Sequence, residues 1–237
     1  MKSTPVIIIV LFAMVYIVPL GVRPLVIPDE TRYAEIAREM LQSGDWIVPH
    51  LAQTRYFEKP VLGYWLTAVS IKLFGENNSA VRLPSALAVG ISAIMIFLLV
   101  YKFGGGQKKT GFLATGVFLT FCQVFGVGIF CVLDSIFSLF ITAVMVSFFA
   151  AYTEYRPGKR MAYLAMCGIF CGLAFLTKGF IGFAVPLVIV VPFLLWQRKM
   201  IELLKLFYVP AIATILVVLP WAIAVHFRET DYWHYFF

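Results

Sequence analysis

Apolar residues along this chain run in long blocks, broken by short polar stretches. A helix needs about 20 mostly apolar residues to cross the hydrocarbon core of a bilayer. Seven blocks approach that length: residues 5–22, 79–101, 110–130, 134–153, 161–177, 180–196 and 206–226. The pattern predicts an all-α polytopic membrane protein with about seven transmembrane helices. Only one basic residue, Lys2, precedes the first block, no small-x-small cleavage site follows it, and six more blocks come after. It therefore reads as an uncleaved anchor rather than a signal peptide.

The connection 23–78 breaks the rhythm of short loops. Within 29–42 the apolar residues Tyr33, Ile36, Ala37, Met40 and Leu41 recur at helical spacing, with Arg32, Glu35, Arg38 and Glu39 opposite and Gly44 as the stop. This helix is too short and too charged to span, so it is expected to lie along the membrane surface. A second helix is expected over 60–74, opened by Pro60, ended by Gly75, and carrying Tyr64 and Trp65 suited to the headgroup level. Two interfacial amphipathic helices in one external loop would frame the mouth of a site for a lipid-borne substrate.

Composition narrows the class. Of 237 residues 62% are hydrophobic and only 13% charged, and the mean hydropathy is +0.92, whereas soluble domains carry about 25% charged residues. Soluble, disordered and nucleic-acid-binding classes are excluded. The connections 102–109, 154–160 and 197–205, with Lys2, hold ten basic and two acidic residues, net +8; the other side holds nine and ten, net −1. By the positive-inside rule the N-terminus is cytoplasmic and the loop 23–78 external. Cys122, Cys131, Cys167 and Cys171 all sit in apolar runs and read as membrane-buried small residues, although the Cys167/Cys171 spacing would also suit a metal pair. The run Gly104–Gly106 before Gln107-Lys108 lacks the glycine that a phosphate loop needs before its lysine, and reads as a tight turn.

With that orientation the external face collects the candidate chemistry. Asp29 and Glu30 stand where the first interfacial helix begins, either as helix N-terminal partners or as catalytic carboxylates. Glu58 and Lys59 precede the second helix; they could pair with each other, or Lys59 could clamp a lipid phosphate, a task open also to Arg32 and Arg55. Asp134 is the single acid in the apolar stretch 110–153, where an ionisable residue is costly and usually functional, although an N-cap role would also place it there. Lys178 stands at the turn between the fifth and sixth blocks, as a snorkelling cation or as part of the same mouth. His50, His226 and His234 are external too. Glu58 with His226 and His234 is the weak candidate set for a divalent metal, the one cofactor the residues suggest, but no i, i+4 pair supports it.

The segments PDETRYAEIAREMLQSGDWIVPHL, RYFEKPVLGYWL and FGENNSAVRLPSALA, followed by GIFCVLDS, LTKGF and LPWAIAVHFRETDYWHYFF, together resemble the bacterial lipid A aminoarabinose transferases. These are polytopic GT-C glycosyltransferases related to the protein O-mannosyltransferases. The resemblance covers nearly all of residues 1–237 and implies a GT-C transmembrane domain in the bacterial inner membrane with its active site in the periplasm. It further implies a polyprenyl-phosphate-linked sugar as donor, lipid A phosphate or another envelope molecule as acceptor, and inversion at the anomeric carbon. Carried over residue by residue, it makes Asp29 and Asp134 catalytic. It gives the donor phosphate to Lys59, Arg32 and Lys178, with Glu30, Tyr56 and Glu58 in support. Members of that family are about twice this length, so the chain is expected to be its N-terminal portion.

Two rival readings remain: a non-catalytic membrane partner or transporter of a lipid-linked substrate, and a protein O-mannosyltransferase-like enzyme. A transporter is expected to place charges near mid-membrane with repeated halves; here the charges gather at one face and no repeat is seen.

Overall fold

The computed structural model describes residues 4–198 and 200–236. Lys2 and Lys199, counted above toward the basic side, lie outside the described residues, as do the side chains of Glu202 and Lys205. The chain packs as two compact units, Met1–Arg55 with Gly63–Leu139, and Tyr56–Leu62 with Phe140–Phe237.

The first unit opens with α1 (Thr4–Phe12), which continues through a π turn, Ala13–Ile17, and a 3-10 turn, Val18–Gly21. Then follow α2 (Asp29–Ser43), the two-residue strands β1 (His50–Leu51) and β2 (Thr54–Arg55), and α3 (Leu62–Phe74). Next come α4 (Asn78–Phe103), α5 (Lys108–Thr120), α6 (Cys122–Gly128) and the start of α7 (Leu133–Thr153). The second unit contains the rest of α7, α8 (Pro157–Lys178), α9 (Ile181–Trp196), α10 (Met200–Arg228) and α11 (Tyr232–Phe236). Among the described residues the fold is all-α and polytopic apart from the short β1–β2 hairpin.

Each of the seven apolar blocks is helical, but not all are straight spans. Among the described residues four helices are long and apolar enough to cross a membrane: α4, α7, α8 and the Tyr208–Arg228 part of α10. The block 110–130 is instead two helices, α5 and α6, bent by 68°. At the break Phe121 is extended (φ −62°, ψ 128°), and the carbonyl of Leu119, freed from the helical ladder, accepts a hydrogen bond from the Tyr16 hydroxyl at 2.6 Å. Hydropathy does not register such a break because both halves are equally apolar. The blocks 5–22 and 180–196 form shorter apolar helices, Pro5–Gly21 and Ile181–Trp196.

Local chemistry explains the element that carries the candidates Asp29, Glu30 and Arg32. Helix α2 ends where expected: Gly44 adopts the left-handed conformation (φ 71°) and its N–H bonds the Met40 carbonyl. Ile36, Ala37 and Met40 are fully buried. Ala37 joins Ala68 and Ile71 of α3, Val81 of α4 and Cys131 in one cluster, with Tyr33 and Leu41 packed against it. The apolar stripe of α2 is thus covered by protein. Helix α3 begins two residues later than Pro60 suggested, and its Trp65 indole donates to the Trp46 carbonyl at 2.7 Å. Gly63 of α3 meets the side chain of Leu133 so closely that no Cβ would fit without displacing it.

Two prolines inside helices show how freed backbone groups are satisfied. Pro84 in α4 cannot donate to the Ala80 carbonyl, and the Ser70 hydroxyl of α3 does so instead at 2.6 Å. Pro186 in α9 likewise leaves the Gly182 carbonyl to the Cys171 thiol at 3.5 Å. In the second unit Gly168 and Gly172 let α10 approach α8 until Pro210 and Val217 touch them, and the Thr214 hydroxyl donates to the Gly168 carbonyl at 2.8 Å. Cys167 packs with Val144, Phe148 and Leu194, which fits its reading as a small membrane-buried residue.

Candidate active site

Asp29 and Glu30 stand side by side in sequence, yet the structure gives them opposite tasks. Glu30 is 1% exposed and Arg82, from α4, is 0% exposed. The Arg82 Nε donates to Glu30 Oε1 at 2.6 Å and one terminal nitrogen donates to Oε2 at 2.8 Å. The remaining guanidinium N–H groups reach the carbonyls of Leu20, Arg23 and Pro24 at 2.6–2.9 Å. All five donors of the guanidinium are therefore used. Glu30 also accepts from Arg23 (2.7 Å) and from the backbone N–H groups of Val26 (2.9 Å) and Cys131 (2.8 Å). Burial by itself raises the Glu30 carboxyl. The donors of Arg82, Cys131, Val26 and Arg23 outweigh it and hold the group ionised, with a pKa lowered to about 2. Arg23 is itself stacked over the Phe130 ring, 3.8 Å from its centre.

Asp29 faces outward. It is the first residue of α2, the preceding Pro28 occupies the N-cap, and its side chain is 55% exposed. Its carboxylate pairs with Arg32, one turn on, at 2.5 Å. Asp134 is exposed in the first turn of α7 and so lies beyond the N-cap position. The structure brings these three residues together around Tyr33. Burial raises the Tyr33 phenol, Arg32 opposes that rise by charge and hydrogen bond, and the charges of Asp29 and Asp134 add to it. The Arg32 guanidinium sits 5.2 Å from the centre of the Tyr33 ring, which packs against Tyr64 at 6.0 Å. The result is two accessible carboxylates, each in the first turn of a helix where the backbone dipole favours negative charge, with one arginine and two phenols beside them.

The second unit holds the other candidates except Arg55 and His50, which belong to the first. Glu58 accepts from the Tyr56 hydroxyl at 2.8 Å, and among the described residues no carboxylate pairs with Lys59, which is half-buried. Phe57 lies edge-on to Tyr232 and Tyr235 at 5.0 and 6.0 Å, and Tyr232 also meets Trp221 at 5.5 Å. The Tyr232 hydroxyl is buried without a hydrogen-bond partner among the described residues, and burial raises its pKa. Lys178 is the half-buried last residue of α8. Gly179 after it adopts φ 75° and ψ −147°, a conformation that only glycine takes readily, and turns the chain into α9. Arg55 is exposed on β2, opposite His50, whose ring bonds the Val48 carbonyl. His226 and His234 are exposed. Among the described residues no three His, Cys, Asp or Glu converge on a point that could hold a metal ion, so Glu58, His226 and His234 do not assemble as a ligand set.

Arg82, Arg23, Tyr33 and Tyr64 join the site without having stood among its sequence candidates. Arg82 did carry a signal, being the one charged residue between Glu76 and Lys102. A lone ionisable group in an apolar run demands a partner. Its partner, Glu30, lies 52 positions away in the chain and no local pattern connects the two.

The family described as dolichyl-phosphate-mannose-protein mannosyltransferase matches residues 2–236. The chain is 47% identical over 226 residues to the undecaprenyl phosphate-alpha-4-amino-4-deoxy-L-arabinose arabinosyl transferase of Aeromonas hydrophila, covering 95% of this chain and 41% of that protein. It is 45% identical over 240 residues to the protein of the same name from Pectobacterium carotovorum, covering 100% of this chain and 42% of that one. The crystal structure of ArnT from Cupriavidus metallidurans bound to undecaprenyl phosphate superposes with a TM-score of 0.90 at 26% identity, over 100% of this chain and 44% of that chain. Its apo form gives 0.93, over 99% and 44%. The chain thus spans less than half the length of the curated relatives it matches.

Proposed function

Because this chain belongs to the dolichyl-phosphate-mannose-protein mannosyltransferase family, we propose that it forms part of a membrane glycosyltransferase acting on a polyprenyl-phosphate donor. The donor is an undecaprenyl-phosphate-linked aminoarabinose and the acceptor a lipid A phosphate. One observation carries the reading: of two adjacent acids, Glu30 is consumed in the core while Asp29 stays exposed beside Arg32.

In the reaction an acceptor oxygen attacks the anomeric carbon as the bond from that carbon to the donor phosphate breaks. The bonding electrons leave with the phosphate and the configuration inverts. By the family resemblance Lys59, Lys178 and Arg32 are the cations available to stabilise the departing phosphate charge, which is the main demand because the phosphate is already a good leaving group. Asp29 takes the proton of a hydroxyl acceptor or orients a phosphate acceptor, and Asp134 supports it. The basic connections lie in the cytoplasm and Asp29, Lys59 and Asp134 on the periplasmic side, the arrangement the charge asymmetry supports.

The test uses the full-length protein in lipid nanodiscs with undecaprenyl-phosphate aminoarabinose and lipid A, followed by mass spectrometry of the lipid A. Addition of one aminoarabinose supports the reading. Transfer only from a polyprenyl-phosphate mannose to a protein acceptor would replace it with the mannosyltransferase activity of the family description.

A further inference from the structure

The two exposed acids lie on different helices, 105 positions apart, yet the backbone segments that bear them converge on one buried group. Glu30 follows Asp29 directly in the first turn of α2. Its Oε1 accepts the N–H of Cys131, three residues before Asp134 in the turn that leads into α7. The same oxygen accepts the Nε of Arg82, and Oε2 accepts Arg82, Arg23 and the N–H of Val26, which leads into α2. Arg23 reaches on to the Ile129 carbonyl at 3.0 Å, so the turn before α7 is tied a second time. Leu133, beside Asp134, is buried against Gly63 of α3.

Such a bond set exceeds what satisfying one carboxylate requires. Two charge-assisted bonds from Arg82 would neutralise Glu30; the two backbone N–H bonds instead fix where two chain segments lie. We infer that Glu30, clamped by Arg82 and Arg23, is a positioning residue that sets Asp29 and Asp134 in register with each other for the transfer. The inference rests on the function proposed above. Glu30 touches no substrate; it acts through the backbone on either side of it. A misplacement of about 1 Å at reacting groups can cost on the order of a hundredfold in rate, so loosening this clamp lowers turnover without removing either acid.

The full-length protein tests it with Glu30→Gln, Arg82→Lys and the milder Arg23→Gln, each purified and checked for membrane insertion and monodispersity. Hydrogen–deuterium exchange over residues 26–33 and 129–136 reads the clamp independently of activity. Faster exchange in both segments together is expected, and faster exchange in 26–33 alone overturns the coupling. Steady-state transfer should show kcat lowered at least about tenfold with a smaller rise in donor KM, because of the donor-binding cations only Arg32 lies in the loosened segments. An unchanged kcat in a variant whose two segments have both loosened overturns the positioning role. If Glu30→Gln and Arg82→Lys fail to fold, Arg23→Gln, which keeps the Arg82 clamp, decides by the same two readouts. A wild-type protein that transfers no sugar removes the proposed function while the exchange arm still decides whether the clamp couples the segments.

Discussion

Replacing Arg82 by methionine isolates the energetic weight of the buried pair. The methionine fills much of the same volume but leaves Glu30 with Arg23 as its one cationic partner. A carboxyl held at about 2 against its ordinary 4.5 corresponds to roughly 3 kcal/mol of preference for the ionised form in the folded protein. Breaking a buried ion pair by removing one partner costs roughly 3–5 kcal/mol, since the remaining charge stays desolvated. The first figure sums every donor to Glu30, so the second sets the expected loss at pH 7, about 3–5 kcal/mol. The sign with pH follows. In the wild type the folded pKa lies below the unfolded one, so the contribution is complete above about pH 4.5 and is lost as the pH falls toward 2. In the variant the loss of the Arg82 donors moves the folded pKa up from its wild-type position, while Cys131, Val26 and Arg23 still lower it. The penalty is then largest at neutral pH and disappears once Glu30 is protonated. Denaturant or thermal unfolding of the full-length protein in detergent, from pH 4 to pH 8, measures both curves. Arg38→Met, which breaks the partly exposed Arg38–Glu35 pair, serves as the control and should leave stability unchanged. A difference between Arg82→Met and wild type that is absent, or that is larger at pH 4 than at pH 8, would refute the reasoning.

The remaining predictions are direct. Gly168→Val drives a side chain into the Pro210 backbone and should abolish the α8–α10 packing, seen as aggregation in size-exclusion chromatography; Gly116→Ala, with open space around it, should behave as wild type. Lys59→Ala should lower transfer at least about a hundredfold, consistent with loss of charge stabilisation at a leaving phosphate, with insertion intact; wild-type transfer would remove its role. Asp29→Asn and Asp134→Asn should each strongly reduce kcat, and unchanged rates from both would end their catalytic assignment. Membrane-impermeant thiol labelling of single cysteines at positions 29, 59 and 134, in intact cells with a permeable outer membrane, should modify all three; protection of any one refutes the proposed sidedness.

What the chain disclosed in advance divides along physical lines. Helices set by local rules were legible: α2 from its apolar spacing, its stop from Gly44, and the long spans from length and hydropathy. Departures arose where the deciding interaction was non-local. The break at Phe121 is accompanied by Tyr16, 105 positions earlier, and neither half differs in apolarity. Pro60 suits a first helical turn, yet α3 waits until Leu62, and nothing local explains those two residues. Among the site residues, Asp29 and Asp134 were visible as acids at the ends of apolar runs. The division of labour between Asp29 and Glu30 was not, because it depends on Arg82 arriving from another helix. Tyr33 and Tyr64 were hidden by their double character: each fits the apolar stripe of its own helix.

The hydroxyl of Ser70 resting on the Ala80 carbonyl has a consequence for biogenesis. A proline in a span leaves a bare carbonyl in a medium without water, which hinders the passage of the nascent helix from translocon to lipid. Here the donor precedes the acceptor by ten residues, so it has already left the ribosome when the proline-bearing segment is released. The turn between the two helices can therefore close with that oxygen already covered.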